Sequence, residues 1–279
     1  ELKFDGIRAL GYLDINETVL INKRGKNLNP TYPELINLHE MAKGRMIIDG
    51  ELVVMKTGKP DFFALQRRSL LTDPLKIDLQ RQLNPVCFIV FDLLYLRDKL
   101  IIDLPLWERK KLLEENVQES KYLLISRYIE ENGQAFFELV QKEGLEGIVA
   151  KEKTSRYYPG KRSSVWLKVK VYQEEDLVIC GYIPKDRGVI SLILGRYTEG
   201  KLIKAGTVVS SKNKTEIFDF AHKYPERPLF ELSEKAIWMK PYLVGRVRYM
   251  EETKTGGLRQ PVFMGIRDDK TASDLDINK

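Results

Sequence analysis

An α+β domain followed by a small β-barrel of the OB-fold type is what this sequence predicts, and three observations carry the prediction. In residues 1–172, antiparallel-type apolar strands are interleaved with amphipathic helices. In residues 173–279, short strands recur with a single helix among them, which is the spacing of a small barrel. The pattern changes at Gln173-Glu174-Glu175-Asp176, an acidic run that reads as a hinge between domains. At 279 residues the chain exceeds the usual single-domain size and can bury a sizeable core.

Each element has a local cause. Residues 7–24 alternate apolar and polar around Asn16-Glu17, as a hairpin does, and Pro33 opens a predicted helix to about Lys43. Residues 46–55 form a strand, Asp61 caps a short helix through Leu70, and residues 86–96 form a strongly apolar strand. Pro105 begins a charged amphipathic helix ending near Asn116. Residues 122–129 read as a strand, 133–143 as a helix, and 147–151 and 165–172 as strands. Beyond the acidic run, strands are predicted at 177–183, 189–196, 202–210, 236–240, 245–249 and 261–266, with a helix near 215–224.

Composition narrows the chemistry. Histidine is limited to His39 and His222, too few for a histidine-ligated metal site or a Ser-His triad. Cys87 and Cys180 sit in apolar runs, as buried thiols do, and not as a disulfide framework. Lysines, arginines, carboxylates and hard cations must therefore carry any reaction. The 46 basic and 40 acidic residues leave a net charge of +6, which permits nucleic-acid binding without demanding it. No apolar run is long enough to span a membrane and no signal peptide is visible, so a soluble intracellular protein is expected. Because the chain opens on Glu1 and not on Met, native residues are expected upstream.

Several short motifs have a chemical meaning. Lys3 lies between Leu2 and Phe4, just before Asp5-Gly6 and Arg8. A lysine normally titrates near pH ~10.4, so it attacks at neutral pH only where burial or nearby positive charge destabilises its protonated form. Glu51, in Asp49-Gly50-Glu51-Leu52, is a lone carboxylate in an apolar strand, which makes it a metal or ribose ligand candidate. Glu146 leads into Gly147-Ile148-Val149-Ala150-Lys151 in the same manner, and two such carboxylates suit one Mg²⁺. Lys168 and Lys170 emerge from one face of a strand, where paired like charges point to an expected anion. Phe91 is either a stacking platform for a base or a core residue. Arg259, Arg267, Asp269 and Lys270 gather near the end of the barrel, a set able to clamp phosphates.

Taken in order, these motifs resemble those of the covalent nucleotidyltransferase superfamily, and specifically of ATP-dependent DNA ligases. The elements are Lys-x-Asp-Gly-x-Arg at 3–8, Asp-Gly-Glu at 49–51, Phe-Asp-Leu-Leu at 91–94, Glu-Gly-Ile-Val-x-Lys at 146–151, Lys-x-Lys at 168–170, and Arg-x-Pro with Arg-x-Asp-Lys at 259–270. They cover nearly the whole chain. The run from Ser155 through Tyr157-Tyr158-Pro159-Gly160-Lys161-Arg162-Ser163 to Trp166 is similar to that of small bacterial ligases, including the ligase module of end-joining enzymes.

The resemblance implies an adenylation (nucleotidyltransferase) domain at 1–172 and an OB-fold domain at 173–279. It implies that Lys3 attacks the ATP α-phosphate and holds AMP, that Glu1 meets the adenine amino edge, and that Phe91 stacks on the base. Arg8 and Glu51 would reach ribose or phosphate, Lys168 and Lys170 the α-phosphate, and Glu51 and Glu146 a Mg²⁺ or Mn²⁺ ion. Arg259, Arg267, Asp269 and Lys270 would close over the triphosphate, then swing away for DNA. The implied partner is nicked double-stranded DNA, with DNA end-binding or other repair proteins beside it. A cytoplasmic, nucleoid-associated monomer without a membrane attachment is also implied. One departure stands out: family members commonly carry Ser-Arg-x-Gly where this chain has Asn22-Lys23-Arg24-Gly25, leaving open whether Lys23 or Arg24 fills the arginine slot. An mRNA capping guanylyltransferase and an RNA ligase share the lysine chemistry, but the terminal cluster and the Pro-Gly-x-Arg-Ser run favour a DNA ligase. A non-catalytic OB-fold binder would leave Lys3, Lys168 and Lys170 unexplained.

Overall fold

The structure, a computed structural model, describes residues 1–161, 163–253 and 256–275. The chain divides into two compact units, Glu1–Val171 and Tyr172–Lys279. The first unit contains β1 (Ile7–Leu13), β2 (Thr18–Asn22), β3 (Met46–Lys56), β4 (Lys59–Pro60), α1 (Phe62–Ser69), α2 (Pro74–Leu83), β5 (Val86–Leu96), β6 (Lys99–Leu100), α3 (Leu106–Asn116), β7 (Leu123–Ile125), α4 (Gly133–Lys142), β8 (Gly147–Lys151) and β9 (Trp166–Lys170). Its main sheet runs β2-β1-β3-β5-β6, with β4 on β3 and β7 parallel to β5, and β8 and β9 form a separate ribbon. The core gathers Leu20, Ile48, Leu52, Phe88 and Val90 from alternate positions of these strands, and Leu93, three residues beyond Val90, joins them because the pairing of β3 with β5 shifts register between them.

The second unit comprises β10 (Gln173–Pro184), β11 (Ile190–Thr198), β12 (Lys201–Ser210), α5 (Lys214–Lys223), β13 (Ile237–Trp238), β14 (Val244–Tyr249) and β15 (Val262–Ile266). Its sheet order is β12-β11-β10-β14-β15, with β13 on β10, and β12 also approaches β15, so the sheet curls toward closure. Leu177, Ile179, Leu192 and Val247 fill one face beneath Ile217 of α5. Cys87 and Cys180 are buried free thiols, each pushed up to about 12 by desolvation. Among the described residues, no helix is long and apolar enough to cross a membrane.

Three expectations differ from the fold. The helix expected from Pro33 to Lys43 is two short 3₁₀ turns, Pro33–Leu35 and Leu38–Met41. The His39 amide donates to Thr18 Oγ1 at 2.8 Å and is lost to a helical ladder. Helix α2 has a readable start that periodicity overlooked: Asp73 accepts from the Leu75 and Lys76 amides at 2.9 and 3.2 Å, and Pro74 follows it. The acidic run is the first turnless stretch of β10. Glu174 and Asp176 sit opposite Arg248 and Arg246 of β14 and pair with them at 2.6 and 2.9 Å. Cross-strand cations make this run a strand, because they neutralise charges that would otherwise favour solvent.

Candidate active site

Lys3 is held by the β8–β9 ribbon before the main sheet begins. Leu2 bridges Ile148, and the Lys3 amide donates to the Gly147 carbonyl at 2.9 Å. Two motif glycines make this junction sterically possible. A Cβ on Gly6 would meet the Leu52 carbonyl oxygen at 2.2 Å, and one on Gly147, at φ +145°, would meet that of Val169 at 2.2 Å. The chain then enters β1, whose Arg8 lies directly opposite Glu51 of β3.

A pocket of about 120 Å³ opens here, lined by Glu1, Lys3, Arg8, Glu51, Phe91, Val149, Lys151, Trp166 and Lys168. Six of the residues singled out in the sequence thus share one cavity. Lys3 forms an ion pair with Glu146. Burial raises the Glu146 carboxyl despite Lys3, and it pushes Glu51 up to about 7 against the pull of Lys3, Arg8 and Lys168. Lys168 is lowered by burial and by the positive charges of Lys3 and Arg8. Three cations crowded at one end of a pocket form an anion site, since an incoming phosphate would relieve their mutual repulsion. Lys170, two residues further along β9, acts electrostatically on Glu146. Lys23 and Arg24 are exposed in the turn after β2, away from the lining of this pocket.

The Lys3-bearing wall is braced by groups to which the motifs assign no role. Asp49 is fully buried and accepts from Arg8 Nε at 3.0 Å, Arg8 Nη2 at 2.6 Å and the Tyr157 hydroxyl at 2.8 Å. This bidentate pair raises Arg8 and fixes its direction. Asp49 and Glu51 alternate on one face of β3, a signal the sequence did contain. Trp166 meets Phe91 edge-on at 6.0 Å, and the Lys151 ammonium lies 4.5 Å from the Phe91 centroid and 4.0 Å from that of Trp166. Neither Trp166 nor Lys151 was singled out as a site residue. Arg162 of the run read above lies outside the described residues.

Among the described residues, no group of three or more His, Cys, Asp and Glu side chains is arranged to hold a metal. Glu146 nevertheless has Oε2 buried without a hydrogen-bond partner. That orphan oxygen, together with the desolvated Glu51 carboxyl, fits a hard cation completing its shell with phosphate oxygens and water.

In the second unit, Asp176 accepts from Arg246 Nε at 2.9 Å, Arg267 Nη1 at 2.9 Å and Lys270 Nζ at 2.7 Å. Asp269 pairs with Arg267 at 2.6 Å, whereas Arg259 pairs with Glu251 at 2.8 Å. The sequence places Asp176 only in the expected hinge; in the structure it anchors the terminal cations. Burial opposes its ionisation, but hydrogen bonds and charge from Arg246 and Lys270 prevail and hold it at about 2. A carboxyl depressed on folding stabilises the folded state above its unfolded value, and this contribution is lost as pH falls from about 4 toward 2. Acid titration followed by circular dichroism should show that loss, and Asp176→Asn should flatten this segment of the curve while lowering stability at neutral pH.

The curled second unit, the antiparallel first unit and its cation-lined pocket together define a nucleotidyltransferase domain followed by an OB-fold domain. The profile described as "ATP dependent DNA ligase domain" matches residues 1–170, and that described as "ATP dependent DNA ligase C terminal region" matches residues 185–270. The chain is 32% identical over 291 residues to the multifunctional non-homologous end joining DNA repair protein LigD of Mycobacterium tuberculosis, covering 99% of this chain and 37% of that protein. It is 30% identical over 268 residues to the prophage-derived DNA ligase-like protein LigB of Bacillus subtilis, covering 96% of this chain and 92% of the relative. A structure of mycobacterial DNA ligase D complexed with ATP and MES superposes with a TM-score of 0.56 at 30% identity, over 99% of this chain and 90% of that one. This chain belongs to the ATP-dependent DNA ligase family. It spans little more than a third of the LigD relative's length.

Proposed function

We propose that the chain seals nicks between a 5′-phosphate and a 3′-hydroxyl in duplex DNA through a covalent lysyl-AMP. The observation that carries this reading is the convergence of Lys3, Arg8, Glu51, Phe91 and Lys168 on one pocket. Lys3 Nζ would attack the α-phosphorus of ATP, forming a P–N bond as the bond to pyrophosphate breaks. Glu146, in ion-pair contact with Lys3, is placed to take the proton that the ammonium must give up. Glu1 and Phe91 would meet the adenine, Arg8 and Glu51 the ribose or phosphate, and Lys168 and Lys170 the α-phosphate. A divalent cation, when bound by Glu51 and Glu146, would neutralise phosphate charge, which is most of what phosphoryl transfer requires of a protein.

In the later steps AMP would pass to the DNA 5′-phosphate, and the 3′-hydroxyl would displace it. Arg259, Arg267, Asp269 and Lys270 would serve the triphosphate in the first step, with Arg267 and Lys270 exchanging Asp176 for phosphate. A residue range of 1–172 for the adenylation domain and 173–279 for the barrel suits this division of labour. DNA repair is the setting in which the LigD relative acts, and nicked DNA, a DNA end-binding protein and a nucleoid location are proposed for this chain on that ground. Replication and recombination would use the same chemistry.

Conversion of a 5′-labelled nicked duplex to a sealed strand tests the proposal. Binding should also be strongly salt-dependent, because the grip would be on phosphates. A footprint of about 6–10 phosphate contacts loses roughly 10³–10⁵ in affinity between about 50 and 200 mM salt. Fluorescence anisotropy on the nicked duplex would measure the slope, and a flat response would contradict phosphate-dominated binding.

A further inference from the structure

Arg8 stands between two cavities, and one of its partners comes from a segment to which the motifs give no role. Its side chain lines both the nucleotide pocket and a neighbouring cavity of about 440 Å³ bordered by Tyr157, Lys161, Trp166 and Lys168. At 47% exposure an unaided arginine would sample many rotamers, and a substrate would have to order it. Fully buried Asp49 takes Nε and Nη2. Tyr157 completes the arrangement: its hydroxyl donates to Asp49 Oδ2 at 2.8 Å and accepts from Arg8 Nη2 at 3.2 Å, so the three groups close a triangle. Burial and the Asp49 charge push the phenol above its ordinary value, and it keeps the proton that it donates. Among the described residues, Nη1 of Arg8 has no hydrogen-bond partner, which makes it the nitrogen left for substrate.

Tyr157 is fixed independently of the strand that carries Arg8. Its amide donates to the Ile102 carbonyl at 2.9 Å, and its ring meets Trp166 edge-on at 6.0 Å. Two residues earlier, the Ser155 carbonyl accepts from Arg109 Nη1 at 3.0 Å and the Ser155 hydroxyl from Trp166 Nε1 at 3.3 Å. A phenylalanine would pack beside Trp166 as well, so packing alone does not account for a hydroxyl bonded to both members of the Arg8–Asp49 pair. We propose that Tyr157 is a positioning residue for nucleotide transfer, its hydroxyl holding Arg8 against Asp49 so that Nη1 is already directed at ribose or phosphate oxygens when ATP arrives. Such preorganisation removes from binding the cost of ordering a flexible cation. This rests on the adenylate reading above and adds Tyr157 to the groups on which that reaction depends.

The test is the rate of self-labelling of the whole chain by α-labelled ATP, followed across ATP concentration to give a half-saturating concentration and a maximal rate. Tyr157→Phe keeps the ring and removes only the hydroxyl. It should raise the half-saturating concentration roughly 5- to 30-fold, the weight of one freed rotamer-rich side chain, with the maximal rate within about threefold. The same change made on Arg8→Lys, which keeps a cation but loses the fork, should add less than about twofold, because the hydroxyl then has no guanidinium to orient. If Tyr157→Phe does not fold, nuclear magnetic resonance on the unaltered chain decides the matter. The Arg8 Nε–H signal, assigned by its loss in Arg8→Lys, should be protected from solvent exchange before nucleotide is added, and exchange as fast as that of a solvated arginine would overturn the proposal. An unchanged half-saturating concentration in Tyr157→Phe, or an equal loss on the Arg8→Lys background, would overturn the positioning role alone. No label from ATP on the unaltered protein would overturn the adenylate reading and this proposal with it.

Discussion

Lys3→Ala is expected to reduce covalent labelling by ATP to background, a loss on the order of 10⁴-fold or more, because no neighbouring amine can replace a positioned nucleophile. Lys168 shares the pocket, but it sits on β9 and lacks the backbone tether to Gly147 that sets the Lys3 position. Lys3→Arg separates chemistry from structure. A guanidinium keeps the ion pair with Glu146, so thermal stability should stay close to that of the unaltered chain, yet it does not deprotonate to attack phosphorus. Sealing of a nick that already carries AMP on its 5′-phosphate should persist in both variants, since that step needs no lysine nucleophile. Loss of this sealing in Lys3→Arg would mean that Lys3 has a role beyond forming the adenylate.

The largest stability effect is expected at Arg109. Arg109 and Asp92 are both fully buried, and the guanidinium donates from Nε and Nη2 to the two carboxylate oxygens at 2.8 Å each. Nη1 donates to the carbonyls of Leu104 and Ser155, the latter at 3.0 Å. Ser155 in turn accepts from Trp166 Nε1 at 3.3 Å, so this one side chain ties α3 to the segment that carries the aromatic wall beside Phe91. Arg109→Leu strands a buried carboxylate and two backbone carbonyls. Removing one partner of such a pair costs about 3–5 kcal/mol. Urea denaturation should show a lower midpoint with an unchanged slope, the product of the two falling by that amount. The double variant Arg109→Leu with Asp92→Leu should recover much of the loss, because an apolar pair leaves no uncompensated charge. If the single variant lost less than about 1 kcal/mol, the pair would not be the brace described.

Much of the fold was legible because its causes are local. The apolar run of β5, the Asp61 cap of α1, where the carboxylate accepts from the Ala64 amide at 2.8 Å, and the short strands of the second unit all announce themselves. What failed depended on partners distant in sequence. The helix expected after Pro33 gives way to Thr18, and the acidic run becomes a strand because Arg246 and Arg248 wait on β14. The pocket followed the same rule. Lys3, Arg8, Glu51, Phe91 and Lys168 were marked by motif and meet in one place. Asp49, Tyr157, Lys151 and Trp166 stand inside the quoted motifs without a role, because their importance lies in whom they touch: a buried carboxylate bonded to arginine and tyrosine, and a cation between two rings. Asp176 was misread for the same reason, since three of its ligands come from β14 and the chain end.

Lys3 is expected to carry AMP. The direct test is to strip any bound nucleotide with pyrophosphate, incubate the chain with α-labelled ATP and Mg²⁺, resolve it under denaturing conditions, and map the modified residue by peptide mass spectrometry. An acid-labile adenylate on the peptide bearing Lys3, chased onto a nicked duplex when DNA is added, is the expected result. Label on another lysine, or none at all, would contradict the account.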